Sequence, residues 1–349
     1  MSNSYGKLFV ITSFGESHGK YIGVVVDGCP AGLALKEADF HEDLGRRRAG
    51  DTPASTTRKE KDRVEILSGM LDGFATGAPI CLVIKNENVN DADYAALRTL
   101  MRPGHADFTA YEKYGGFNDW RGGGRFSGRI TAGFVAAGVI AKKILSTLKV
   151  NISARAAEIG GIALGEKEGL DNKKVHAAIT AARQRSDSLG GVIECTAINV
   201  PAGLGEPVFD TLDGELAKAL LAIPAVKGVE FGEGFKAARL KGSENNDAFM
   251  VKNGKIVTKT NHSGGILGGI SNGMPLMVRV AIKPVASIGQ EQDTVDIKTM
   301  KSAKLSITGR HDACIVPRAV PVVEAMMAVT LCDFTMQAGM IPRVLKSSK

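Results

Sequence analysis

Ile130-Thr131-Ala132-Gly133-Phe134-Val135-Ala136-Ala137-Gly138-Val139-Ile140-Ala141-Lys142-Lys143-Ile144-Leu145 decides the fold class of this chain. Ile130, Phe134, Ala137, Ala141 and Leu145 recur at helical spacing, which predicts a long buried helix over 130–148. Its purely apolar part stops at Lys142-Lys143, too short to cross a bilayer. A second helix is expected over 320–334, where Val323, Met326, Met327 and Leu331 are apolar, and shorter amphipathic ones over 38–48, 172–184 and 211–221. Strands are expected over 8–14, 22–26, 64–67, 80–84, 191–200 and 276–283. In the last, Leu276, Val278, Val280 and Ile282 alternate with Met277, Arg279, Ala281 and Lys283, the period of a strand with two different faces. Asn253-Gly254 between short β-prone runs predicts a hairpin. Helices and strands do not alternate strictly, so the expected class is α+β, built as layers of sheet and helix.

The long helix is opened by Ser127-Gly128-Arg129. A helix start offers unpaired N–H groups and partial positive charge, so an anion beside Arg125, Ser127 and Arg129 would be stabilised twice. More arginines stand in Arg46-Arg47-Arg48, Arg121-Gly122-Gly123-Gly124-Arg125 and Arg310-His311-Asp312. Two histidines sit in glycine-flanked segments: His18 in Phe14-Gly15-Glu16-Ser17-His18-Gly19, and His105 in Arg102-Pro103-Gly104-His105-Ala106-Asp107. Histidine exchanges protons near neutral pH, arginine grips carboxylate and phosphate with a planar fork, and glycine lets backbone approach a ligand. Together these segments describe an acid–base site built to hold a polyanion. His41 and His176 fall on expected helix surfaces and receive no role, and His311 is ambiguous.

Composition narrows the partners. The 349 residues carry a formal charge of +7, spread along the chain, with 5% aromatics. A nucleic-acid binder would show a basic stripe interleaved with aromatics, so a small anionic substrate explains the local arginines better. The five cysteines form no CxxC pair, which argues against a zinc site or disulfide framework and fits a reducing cytosol. No signal peptide opens the chain, and neither membrane nor nucleic acid is expected as a partner. Gly232-Glu233-Gly234-Phe235-Lys236-Ala237 matches a dinucleotide fingerprint in letters only, since no convincing helix or acidic residue follows at the required distance. The run Gly15 to Lys20 is one residue short of a P-loop, with Tyr21 in place of Ser/Thr. Gly264-Gly265-Ile266-Leu267-Gly268-Gly269, flanked by polar residues, suits a ligand loop.

Taken in order, these segments resemble the chorismate synthase family. The likeness begins at Gly6-Lys7-Leu8-Phe9 and runs through Asp27-Gly28-Cys29-Pro30 and the histidine and arginine segments above. It continues through His262-Ser263-Gly264-Gly265 and ends at Gly309-Arg310-His311-Asp312-Ala313-Cys314 and Arg318-Ala319-Val320-Pro321, so it covers nearly the whole chain. The resemblance implies a single-domain β-α-β sandwich over 1–349, assembled as a cytoplasmic homotetramer. It implies an anti-1,4-elimination of phosphate from 5-enolpyruvylshikimate 3-phosphate to give chorismate, the last step of the shikimate pathway. Reduced FMN is needed, without net redox change.

Carried over by position, the resemblance makes His18 the acid that protonates the departing phosphate, with Ser17 beside it. It puts His105 near the flavin and gives Asp312 a part in removing the C6 proton. Arg47, Arg48, Arg102, Arg129 and Arg310 would hold the substrate anions. FMN contacts carry over to Arg125, Phe126, Ser127, Asn245, Gly268, Arg310 and the run Lys283, Pro284, Val285, Ala286, Ser287, with Lys283 or Ser287 meeting the flavin phosphate. The chain departs from the common family pattern at Ala49, Pro53, Phe126 and Val285-Ala286. Some family members, mainly fungal, also reduce flavin with NADPH. This chain has no dinucleotide fingerprint, so an outside source of reduced FMN is expected. A non-catalytic binder of anions or RNA would also use arginine-rich loops, but it would not need two placed histidines and Asp312.

Overall fold

The alternation of Leu276–Ile282 is realised in space: Leu276, Val278, Val280 and Ile282 are buried, while Met277, Arg279 and Ala281 face outward. The computed structural model describes residues 3–48, 50, 54, 61–87, 97–166, 168–307 and 312–345. Leu276–Ile282 lies inside an antiparallel sheet ordered Val226–Phe231, Leu276–Ile282, Gly191–Ile198, Asn151–Ile159, Ile162–Ala163. A second antiparallel sheet is ordered Ser4–Tyr5, Val10–Gly15, Tyr21–Asp27, Ile80–Lys85, Val64–Ile66. The α-helices of the described residues are α1 His41–Arg47, α2 Asp107–Tyr114, α3 Thr131–Ser146, α4 Lys173–Gln184, α5 Leu212–Leu221, α6 Gly242–Asn245 and α7 Val316–Gln337.

Helices α3 and α7 form the inner layer. α3 lies on the amino-terminal sheet, where a Cβ on Gly133 would stand 3.0 Å from the Gly23 carbonyl oxygen. α7 lies on the other sheet, and the two helices touch so closely that a Cβ on Gly138 would be 2.4 Å from that of Ala325. One continuous apolar core joins both sheets through these helices. The result is the expected sheet–helix–sheet layering, an α+β fold.

α7 is longer than its sequence suggests, because Pro321 lies inside it. Proline removes one intrahelical bond, yet burial of Val320, Val322, Val323 and the residues beyond carries the helix through. α7 is long and apolar enough to cross a membrane, but its side chains are enclosed within the fold. It also carries Glu324, buried and bound by both Nη atoms of Arg46 at 2.8 Å, by Lys142 at 2.9 Å and by the Ala154 N–H. A buried charge is tolerable only when paired in this way. The pair anchors α1 to α7, and leaves Arg47 on the other side of α1.

Among the elements not anticipated are Asn151–Ile159, Val226–Phe231, α2 and the paired strands Gln292–Asp296 and Lys301–Leu305. Asn-Ile-Ser-Ala-Arg-Ala-Ala-Glu-Ile has little intrinsic strand preference, and it is extended because strands on both sides supply its hydrogen bonds. The Asn253-Gly254 hairpin forms as expected, with φ 52° and 71° at the two turn residues. The 232–237 stretch turns into a short 3₁₀ helix, Gly234–Arg239, rather than the α-helix a dinucleotide fold requires.

Candidate active site

A cavity of about 680 Å³ opens where α3 and α7 begin. Its walls include residues 104–106, 125–131, 221–227 and 283–287. Both inner helices thus direct their N-terminal ends at it, a favourable field for anions.

Ser17 lines the cavity, and His18 sits next to it, against Gly122 and outside the lining. Residues 16–19 make a turn between Val10–Gly15 and Tyr21–Asp27, closed by Gly19 N–H donating to the Glu16 carbonyl at 3.0 Å. Asn86, just past Ile80–Lys85, clamps this turn: Nδ2 donates to the Glu16 carbonyl at 3.1 Å and the Gly19 carbonyl at 2.7 Å. Ser17 and His18 are buried between these anchors. The run Gly122-Gly123-Gly124 passes over them with positive φ throughout. A Cβ on Gly122 would stand 2.4 Å from His18 Cδ2 and 2.5 Å from Nε2, and one on Gly123 would stand 3.2 Å from His105 Cε1 and Nε2. Consecutive glycines therefore bring the two histidines to one wall.

His105 follows Gly104 and precedes α2. Asp107 Oδ1 lies 2.7 Å from His105 Nδ1, so Nδ1 carries the proton and donates it, leaving Nε2 an acceptor in the neutral ring. Burial pushes the His105 pKa below 6.5; Asp107 opposes this, while Arg102 and Lys283 add to it. Asp107 also takes a two-pronged grip from Arg102, Nε and Nη2 each at 2.7 Å. Burial pushes the Asp107 carboxyl up, but these bonds hold it far below the usual carboxylate range. Arg102 Nη1 donates to Ser287 Oγ at 3.1 Å, which joins this cluster to the 283–287 run.

The remaining arginines gather around Asp62, a buried carboxylate. Arg47 Nη1 donates to Asp62 Oδ2 at 3.1 Å, and Arg129 Nη1 donates to Asp62 Oδ1. Burial pushes the Asp62 carboxyl up, and the two guanidinium groups bring it below its usual range. Arg47 spends its other donors on Thr131 Oγ1 and on the carbonyls of Gly128 and Arg129, so it fixes the start of α3 as much as it faces a ligand. Its burial lowers its pKa to about 9, with Asp62 opposing. Arg318 reaches from the Arg47 carbonyl to Asp312, 2.5 Å from Oδ2. Arg48 lies on the rim, donating to the Lys61 carbonyl.

Among the expected flavin contacts, Phe126, Ser127, Lys283, Pro284, Val285, Ala286 and Ser287 line the cavity. Arg125 lines it too, but its guanidinium points back to Ser13, the Gly15 carbonyl and Asn3, so it ties the glycine run to the sheet. Asn245 and Gly268 do not line the cavity in the single chain. Asn245 ends α6, its carbonyl accepting from His262 Nδ1, and Gly268 sits at the turn between Ile266–Leu267 and Ile270–Ser271. Arg310, His311, Ala49 and Pro53 lie outside the described residues.

Asp62, Asn86, Arg318 and the wall 221–227 belong to the site without any signal in the sequence that marks them. Asp62 sits in Lys61-Asp62-Arg63, which looks like an ordinary solvated charge run. Arg318 stood inside a matched segment without a role. The wall is fixed by Ala225, whose φ of 74° is unusual for a residue with a Cβ, and whose carbonyl accepts the Lys283 N–H at 2.9 Å. Nothing local in the sequence marks that strain.

With this geometry in place, comparison with known proteins is direct. The family model described as chorismate synthase matches residues 9–336. A chorismate synthase of Dehalococcoides mccartyi is 55% identical, covering 99% of this chain and 100% of its own length. One from Korarchaeum cryptofilum is 48% identical over 96% of this chain and 97% of its own. A solved structure titled "Crystal Structure of Chorismate Synthase" superposes with a TM-score of 0.72 at 30% identity, covering 95% of this chain and 93% of that one. On matches of this extent, over a cavity that unites the histidine, glycine and arginine segments, the chain belongs to the chorismate synthase family.

Proposed function

We propose that His18, His105 and Asp312 carry out the family's reaction in this cavity. That reaction is the anti-1,4-elimination of phosphate from 5-enolpyruvylshikimate 3-phosphate to give chorismate, the last step of the shikimate pathway. The enzyme is a carbon–oxygen lyase acting on phosphates. The observation that carries the assignment of roles is the convergence of His18 and His105 on Gly122 and Gly123, beside an arginine-lined cavity at two helix starts.

The substrate's two carboxylates and phosphate call for several cations. Arg47, Arg48, Arg102, Arg129 and Arg318 line the cavity, with Arg310 expected to join. His18 Nε2, at the glycine wall, gives its proton to the phosphate oxygen as the C3–O bond breaks. Asp312, held by Arg318, takes part in accepting the proton lost from C6.

Reduced FMN fits the same walls. Ser287 Oγ accepts from Arg102, and Ser127 Oγ accepts from the Arg129 N–H, so each hydroxyl keeps its own proton to donate. Lys283 stands beside them, while Pro224, Val285, Ala286 and Val322 offer apolar surface for a ring. A bound reduced flavin would supply the transient electron density that helps phosphate to leave. His105, neutral and with Nε2 as acceptor, would accept a hydrogen bond from an N–H of the bound flavin. Phe126 contributes backbone at its position, and Lys283 or Ser287 takes the flavin phosphate.

One continuous core supports a single domain over the chain. Exposed Phe249, Val251 and Ile256 on the hairpin supply apolar surface of the kind subunit contacts cover, in keeping with a homotetramer. Free cysteine thiols suit the cytoplasm, and an external reductase would provide the reduced flavin. The test is chorismate formation by purified protein without oxygen, with photoreduced against oxidised FMN. Turnover should require the reduced form. His18→Ala and His105→Ala should each cost about 10²–10⁴-fold in kcat. Equal rates with both flavins would remove the cofactor assignment.

A further inference from the structure

Asn86 lies outside the cavity lining, yet its amide is fully committed. Nδ2 donates to the carbonyls of Glu16 and Gly19, which bracket Ser17 and His18, and Oδ1 accepts from Arg129 Nε at 2.9 Å. The orientation of the amide is fixed by chemistry, since carbonyls only accept and a guanidinium only donates. The residue is only 8% exposed, so water offers little replacement for these bonds. Arg129 continues the chain of bonds to Asp62, and Asp62 passes it to Arg47 at the start of α3. Asp62 holds this place at φ 46°, a left-handed conformation that aspartate tolerates better than most residues.

We infer that Asn86 is a positioning residue, coupling the arginine that faces the substrate anion to the turn that carries His18. Asp62 is the carboxylate that sets the register of that arginine. This rests on the functional assignment above. Anion binding that draws on Arg129 acts through one side chain on the backbone of the acid's own loop. A displacement of the acid by about 1 Å is enough to cost about 10²-fold in rate. The loss should fall on kcat, since Asn86 does not line the cavity.

The experiment is a double-mutant cycle between Asn86→Ala and His18→Ala, measured as anaerobic chorismate formation with photoreduced FMN. Calorimetric binding of 5-enolpyruvylshikimate 3-phosphate is measured in parallel. Asn86→Ala alone should lower kcat by about tenfold to a hundredfold, while substrate affinity changes by less than about threefold. In the His18→Ala background the same change should cost no more than about twofold, because the group it positions is gone. Full additivity of the two losses, or a loss confined to substrate affinity, overturns the inference. If Asn86→Ala does not fold, Asn86→Asp serves: it keeps the acceptor for Arg129 and loses both donors to the turn. A wild-type protein that forms no chorismate would overturn the functional assignment itself, an outcome separate from additivity.

Discussion

Gly122 lies against the imidazole of His18, and no larger residue fits: an added Cβ would be 2.4 Å from Cδ2 and 2.5 Å from Nε2. Its φ of 57° belongs to the left-handed region as well. A glycine here therefore meets two demands at once, backbone geometry and the approach of a proton donor.

Gly122→Ala should accordingly lower kcat by about tenfold or more by displacing His18, on the scale of an ångström-sized misplacement. Gly123→Ala, with its Cβ 3.2 Å from His105, needs only a small adjustment and should be milder. Steady-state rates of both variants, with melting temperatures as a folding control, decide. A Gly122→Ala enzyme as fast as wild type would mean that His18 has room to spare.

The second prediction concerns pH. Burial lowers the His105 pKa below 6.5, so the folded state resists taking up a proton that the unfolded chain accepts. The stability this contributes is present above pH 6.5 and declines as pH falls from there toward the lowered value. Melting temperatures measured between about pH 7 and 5 should therefore fall less steeply for His105→Asn than for wild type. Asp107 raises the histidine pKa, so Asp107→Asn should lower it further, read by histidine NMR titration. An upward shift would show that the Asp107 contact is not the one that sets the ring.

Arg129 gives a third. Arg129→Ala should weaken substrate binding more than FMN binding, by roughly tenfold or more, the scale of a charge-assisted hydrogen bond. Arg129→Lys should recover only part of the loss, since a lysine keeps the charge but not the forked pair of donors that grips an anion. Separate calorimetric titrations with substrate and flavin measure this; complete recovery by lysine would mean that charge alone matters.

The fourth concerns the flavin's reductant. The strand Val226–Phe231 leads into the short 3₁₀ helix Gly234–Arg239, not into the α-helix whose N-terminus binds a dinucleotide. Anaerobic NADPH oxidation, followed at about 340 nm with FMN and purified protein alone, should not be sustained. NADPH consumption coupled to chorismate formation would show a bifunctional enzyme.

Much of this protein was legible in its sequence. Spacing alone marked the buried helix 130–148, observed as Thr131–Ser146, and the two-faced strand Leu276–Ile282. Both are local periodicities that burial then enforces. The histidine, glycine and arginine segments announced an anionic acid–base site because those residue types in those loops have few other uses. Tertiary structure alone decided the rest. It turned Asn151–Ile159 into a strand through bonds to neighbours distant in the chain, and carried α7 across Pro321 by burial. It sent Arg46 to Glu324 and Arg47 to Asp62, a division that three adjacent arginines cannot reveal. It also made Asn86 and Asp62 part of the site, though nothing near them in the sequence distinguishes them. A side chain's partners are set by which strands and helices meet, and that is a property of the packed core rather than of any window along the chain.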